Sequence, residues 1–262
     1  IEYATGGNPE IIVADNGYLF VNGQIRRPTT VTTGSLNYNQ SGNSNVKVDG
    51  RNADNTRAMF EIVNNGIFNM SGGTLTISRS FNNSAYNDVY INPVSYNVTG
   101  GTIRLGSQNV ANGNQINFVS SAPIYNLVVD ATSTWKIVNQ RIYPLTLLNN
   151  LVIEGNSVYN ANGLNVTIGG NLINNNIDGN FGISTGGYRP GSLTQTTIFN
   201  GTGDQHIIGN GNNLTNFANL QINKNGTLYL DPNSNIRVNN NLTLTSGTLN
   251  DGGNNITVIK NI

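Results

Sequence analysis

Apolar and polar residues alternate with a period of two along nearly the whole chain, as in Tyr18-Leu-Phe-Val21, Thr74-Leu-Thr-Ile77, Asn165-Val-Thr-Ile168 and Leu242-Thr-Leu-Thr245. Each run lasts about 4–6 residues before an Asn-, Gly- or Ser-rich cluster interrupts it, the signature of short strands with one buried side. No stretch of helical length carries apolar positions at three-and-four spacing. Asn-Gly pairs begin at Asn16, Asn22, Asn65, Asn112, Asn162, Asn200, Asn210 and Asn225, and both residue types enter the left-handed backbone region that tight turns need. The pattern predicts an all-β chain of many strands.

The strands recur as a unit. Phe68-Asn-Met-Ser-Gly-Gly-Thr-Leu-Thr-Ile77 returns as Tyr96-Asn-Val-Thr-Gly-Gly-Thr-Ile-Arg-Leu105 and, more loosely, as Phe199-Asn-Gly-Thr-Gly-Asp-Gln-His-Ile-Ile208. A longer echo matches residues 125–129 to 218–222, 150–153 to 241–244 and 164–168 to 254–258, in order. It predicts two copies of one module within 96–198 and 199–262, preceded by N-terminal rungs in 1–59 and a first repeat region in 60–95. Asn126 and Asn219 should then occupy equivalent corners.

Asn-Gly pairs also suit antiparallel hairpins, so a β-sandwich competes with a parallel solenoid. Repetition favours the solenoid. Equivalent residues stack about 4.8 Å apart in a parallel coil, which rewards the same residue in the same place on every turn, as amide ladders outside and aliphatic stacks inside. The expected fold is a single right-handed parallel β-helix, its hand taken from the strong preference of parallel crossovers. Leu75, Ile77, Ile103, Leu105, Leu127, Val129, Ile153, Val166, Ile168, Leu220, Ile222, Leu242, Leu244, Ile256 and Val258 should point inward.

The aligned segments, with Thr167-Ile-Gly-Gly-Asn-Leu172 and Leu242-Thr-Leu-Thr-Ser-Gly-Thr-Leu249, resemble the β-strand repeats of large surface and secreted proteins of Bacteroidetes exported by the type IX secretion system. The likeness covers about residues 60–262. It implies an adhesin-like, right-handed β-helical segment of a longer chain, located at the cell surface or outside the cell. No sorting domain of the kind that ends such proteins is seen here, so the export route rests on the resemblance alone.

Composition narrows the function. Asn is close to a fifth of the 262 residues and Gly contributes 31, against an ordinary Gly share of about 7%. Charged residues are 10% and balance to zero, scattered rather than massed, which argues against nucleic acid as a partner. There is no Cys, hence no disulfide or thiolate metal site, and no apolar run long enough for membrane insertion by a helix. The strand rhythm persists to Ile262, so both ends read as cuts through a longer rod.

Candidate chemistry is sparse. The single histidine, His206, is placed by the motif alignment where the second copy has Ile103, and reads as a surface strand residue. Lys47, Asp49, Arg51, Asp54, Arg57 and Glu61 form the densest charge cluster, read as a solvated, self-paired loop rather than the carboxylate groove of a polysaccharide-cleaving β-helix. Asp130, Glu154, Asp178, Asp231 and Asp251 lie far apart in sequence, though neighbouring rungs can bring such residues together. Gly201-Thr-Gly-Asp204 is a fragment of a calcium-binding nonapeptide, so no metal and no cofactor is expected. Sequons such as Asn69-Met-Ser71, Asn97-Val-Thr99 and Asn241-Leu-Thr243 follow from the Asn/Thr-rich composition.

Aromatic residues offer one further chemistry. Trp135 and exposed tyrosines among Tyr38, Tyr86, Tyr90 and Tyr188 could stack on sugars, whereas Tyr96 and Tyr125 should face the core or cap a corner. Short Thr-x-Thr pieces such as residues 243–245 are too few for an ice-binding array. The sequence thus points to a non-enzymatic stalk or surface-contact module, with no catalytic residue, whose partners would be surface glycans, other cell-surface proteins or the rest of its own chain. The alternative is a polysaccharide-binding or polysaccharide-degrading β-helix.

Overall fold

The computed structural model describes the chain except residues 4–6, 32, 52, 54–55, 64, 81–86, 108–114, 131–135, 177–185, 212–213 and 260–262. It is an all-β parallel solenoid of about nine turns, with no helix among the described residues. Each turn lays down up to three strands, so the body has three faces. Strands such as Asn37–Gln40, Leu145–Leu147, Val166–Ile168 and Thr196–Phe199 build the first. The second contains Asn45–Val48, Asn126–Val129, Leu151–Ile153, Leu172–Asn174 and Gln205–Gly209, and the third runs from Phe60–Ile62 to Ile256–Val258. Long strands such as Ile67–Ile77, Ser95–Leu105 and Asn219–Leu230 cross the corner from first to second face, with register shifts at the bend.

Hydrophobic alternation becomes packing directly. Val46, Leu75, Ile103, Leu127, Leu151, Leu172 and Ile207 are successive register partners on the second face and all are buried. Each such side chain contributes about 1.5–3 kcal/mol by leaving water. Aromatics extend the stacking, with Tyr38 on Phe68 at 5.8 Å and 9° and Tyr159 on Tyr188 at 5.9 Å. Their desolvated hydroxyls have pKa values pushed far above normal, and they are held by Gln40, Gln140 and Thr197. The glutamines also satisfy corner carbonyls: the Gln40 amide donates to Ser44 and Thr74, and that of Gln140 to Tyr143 and Asn165.

Asparagine closes the corners. The Asn126 Oδ1 accepts the Asn150 N–H at 3.2 Å, the Asn150 Oδ1 accepts the Asn171 N–H at 2.7 Å, and the Asn171 Oδ1 accepts the His206 N–H at 2.8 Å. The ladder holds register although these steps range from 21 residues to 35. The surplus length lies in connections between second-face and third-face strands, such as 175–187.

Most residues expected inside are inside, from Leu75 to Ile222. The last turn differs: Leu242 and Ile256 are only partly buried, and Leu244 and Val258 are 52% and 48% exposed. They are in register with buried Ile222 and Val238, so the inward spacing is right, but they are covered from one side only.

The long echo needs correction. Asn126 belongs to the second-face column that continues through Asn150, Asn171, His206 and Tyr229, whereas Asn219 pairs with Thr196 on the first face. Residues 241–244 and 254–258 are likewise one face away from the segments they echo. The cause is that the corners use the same device. Asn126 Oδ1 accepts from Asn149 and Asn150, and Asn219 Oδ1 accepts from Asn240 and Asn241. The third motif copy is also displaced by one residue: Ile207, not His206, occupies the column of Ile103, and a one-residue slip exchanges inside for outside.

Candidate functional site

The expected loop of solvated charges is taken apart by the fold. Glu61 lies in a third-face strand and is fully buried, as are Asp49 and Arg57. The segment after Gln24 folds over this strand and supplies Arg27, whose Nη2 lies 2.7 Å and Nε 3.2 Å from the Glu61 Oε1 and whose backbone N–H donates to Oε2 at 3.0 Å. Arg57 approaches the same carboxylate at 3.7 Å and donates to the carbonyls of Pro28, Thr29 and Val31. Tyr3 donates its hydroxyl to the Glu61 carbonyl, and burial, with the Glu61 charge, pushes its pKa far up. This is a lock that fastens the first turn. Lys47 is separate, on the outward second face with its Nζ 5.9 Å from the Phe20 ring centroid. Asp54 lies outside the described residues, as do Tyr86, Asn112, Trp135, Asp178 and Ile262.

A different group assembles on the outer side of the second face. Arg104 and the half-buried or buried Val128, Val152, Ile173 and Ile208 are successive register partners, forming an apolar row along the axis. At one end the Arg104 Nη1 reaches Asp130 at 2.8 Å and Glu154 at 3.0 Å. At the other the His206 Nδ1 lies 2.6 Å from the Asp231 Oδ1, and the imidazole stacks on Tyr229 at 5.3 Å. Sequence reasoning left Asp130 and Glu154 apart, yet each directly follows a near-identical strand, Asn126-Leu-Val-Val-Asp130 and Asn150-Leu-Val-Ile-Glu154. Aligning those two strands places both acids at one corner on adjacent turns.

The corner beyond this row carries Asp49 paired with Arg51 at 3.1 Å and Arg79 at 3.2 Å, together with buried Lys136. Desolvation lowers the lysine pKa, the Arg79 charge lowers it further, and Asp130 opposes both. The paired signs leave little net field. Asp130 and Glu154 spend their oxygens on one guanidinium, and among the described residues no group of three or more His, Cys, Asp or Glu could hold a metal ion. His206 stands on the surface strand as expected, its Nδ1 committed to Asp231. Asp204 caps a turn by accepting the Thr227 N–H at 2.8 Å.

Among the described candidates for stacking on sugars, Tyr38 and Tyr188 are instead buried and stacked in the core, and Tyr90 is half-buried. Of the two tyrosines expected to face the core or cap a corner, Tyr96 is 52% exposed, while Tyr125 packs partly against the core. No family model, curated protein or solved structure matches the chain.

Proposed function

We propose that the chain is a non-enzymatic, adhesin-like stiff segment of a bacterial cell-surface or secreted protein, of the type its repeats resemble. The observation that carries this reading is the second-face run of stacked aliphatic partners with an asparagine ladder at its corner, and the charged groups drawn into pairs beside them. Such a body resists bending, because every turn contributes backbone hydrogen bonds and buried apolar area to its neighbours. A stalk needs no more chemistry than this. Its contacts would be surface glycans, other surface proteins or further parts of its own chain.

A second reading, polysaccharide binding or cleavage, is favoured by one observation: the apolar row bounded by Arg104, Asp130 and Glu154 and by His206, Tyr229 and Asp231 is a linear surface on which a linear polymer could lie. The test is a turnover assay on plant, algal and bacterial polysaccharides with and without calcium. The stalk reading expects no product. Turnover that disappears in Asp130→Asn or Glu154→Gln replaces it with an enzyme.

A further inference from the structure

Among the described residues the first-face wall is open beside residues 95–98. Residues 95–98 pair with residues 67–70 on one side, but the next second-face strand, Asn126–Val129, pairs only with residues 102–105. The reason is chain length. After Gln115–Ser120 the chain reaches Asn126 through residues 121–125 alone, too few to lay down a full first-face strand. Ile124 makes a single bridge there, and its bonds go to the following turn: its N–H donates to Thr146 and its carbonyl accepts from Leu148. No hydrogen bond joins residues 95–98 to 121–125 among the described residues.

The alternation of a strand identifies the free groups. The Val94 N–H donates to Gly66 and the Asn92 N–H to Ile62, on the side of the preceding turn. Within the strand the Ile67 N–H donates to Leu36 on the turn before, so Phe68, in register with Tyr96, shares its ladder bonds with Ser95 and Asn97, and Tyr96 and Val98 aim their N–H and C=O groups into the gap. The side chains tell the same story. Tyr96 is in register with Phe68, which is fully buried, yet Tyr96 is as exposed as Leu244 on the last turn, 52% in both. Val94 beside it is exposed as well. Exposed edges are commonly blunted by Lys, Pro or an inward charge, but residues 94–99, Val-Ser-Tyr-Asn-Val-Thr, contain none of these.

We infer that residues 95–98 form a β-augmentation site, and that its occupant is an extended, uncharged peptide strand of a partner protein carrying an apolar side chain over Tyr96. Two donors and two acceptors set at strand spacing select an extended backbone, because only a strand returns the complementary pattern. The neutral edge gives no charge to select for, and the uncovered aromatic supplies the side-chain pocket. This inference is independent of the stalk reading and of the second-face row.

Hydrogen exchange on the whole chain tests the premise, and a fluorescent, uncharged Thr/Val-alternating hexapeptide tests the site. In the free protein the Tyr96 and Val98 amides should exchange rapidly while those of Val94 and Asn97 are protected, and the peptide should protect the first pair. Tyr96→Pro removes a donor that faces the gap and is compatible with an edge strand, so it should weaken peptide binding about tenfold beyond Tyr96→Ala, which removes the ring alone, with an unchanged circular dichroism spectrum. A peptide N-methylated at alternate residues should not bind. Protected Tyr96 and Val98 amides in the free chain, no saturable binding, or binding no weaker in Tyr96→Pro than in Tyr96→Ala would overturn the inference. A dimer abolished by Tyr96→Pro would overturn it in favour of a second copy as occupant.

Discussion

Gly101 has φ of +90°, and a Cβ there would lie 2.6 Å from the Met70 Cε and 2.8 Å from the Gly72 carbonyl oxygen. Its substitution combines left-handed strain with a clash, so Gly101→Ala should destabilise by about 1–3 kcal/mol in urea titration. Gly203→Ala, with no atom within 4 Å of the added carbon, should be close to neutral. The buried Glu61 gives a larger effect. Glu61→Gln leaves Arg27 and Arg57 uncompensated in a dry site, which costs about 3–5 kcal/mol, and residues near the first turn should lose exchange protection before the middle of the rod. Lys136 supplies the pH dependence. Its folded pKa lies below the ordinary 10.5, so the buried charge opposes folding fully below the folded value, and that opposition fades as pH rises towards 10.5. Lys136→Met should therefore raise stability at neutral pH, with a gain that shrinks in alkaline titrations. Arg57 and Glu61 were visible in sequence as part of a charge cluster, but their burial and their partners Arg27 and Tyr3 were not, because the covering segment with Arg27 is 34 residues from Glu61.

At the scale of the strand, period-two alternation was enough to find the inward positions, and Gly-Gly pairs marked the corner where Ile67–Ile77 and Ser95–Leu105 bend together. What could not be read was which face a strand occupies. The motif of an Asn followed by two alternating aliphatics belongs to a face rather than to a turn, and variable connections hide the difference. The ladder itself is testable. Asn171→Ala removes the acceptor for the His206 N–H, leaving a half-buried donor unsatisfied, so a loss of about 1–3 kcal/mol is expected. Asn171→Asp, which keeps the acceptor oxygen, should lose less. Equal losses in the two variants would show that the ladder bond is not what matters at this corner.

For the molecule as a whole, repetition was the legible feature and it determined the parallel solenoid; the second-face row and the gap beside Tyr96 were not legible, because both depend on how many residues each turn spends between strands. The stalk reading requires that the turns add up to a stiff body. Because the chain has no cysteine, two introduced cysteines can carry spin labels without background. Lys47 and Ile208 share one outward row through Thr76, Arg104, Val128, Val152 and Ile173. Labels at Lys47→Cys and Ile208→Cys should lie about 29 Å apart at the backbone, and at Lys47→Cys and Ile173→Cys about 24 Å, one strand spacing less. The account predicts narrow distance distributions that step by about 4.8 Å per turn; broad distributions, or distances that fail to grow from Ile173 to Ile208, would contradict it.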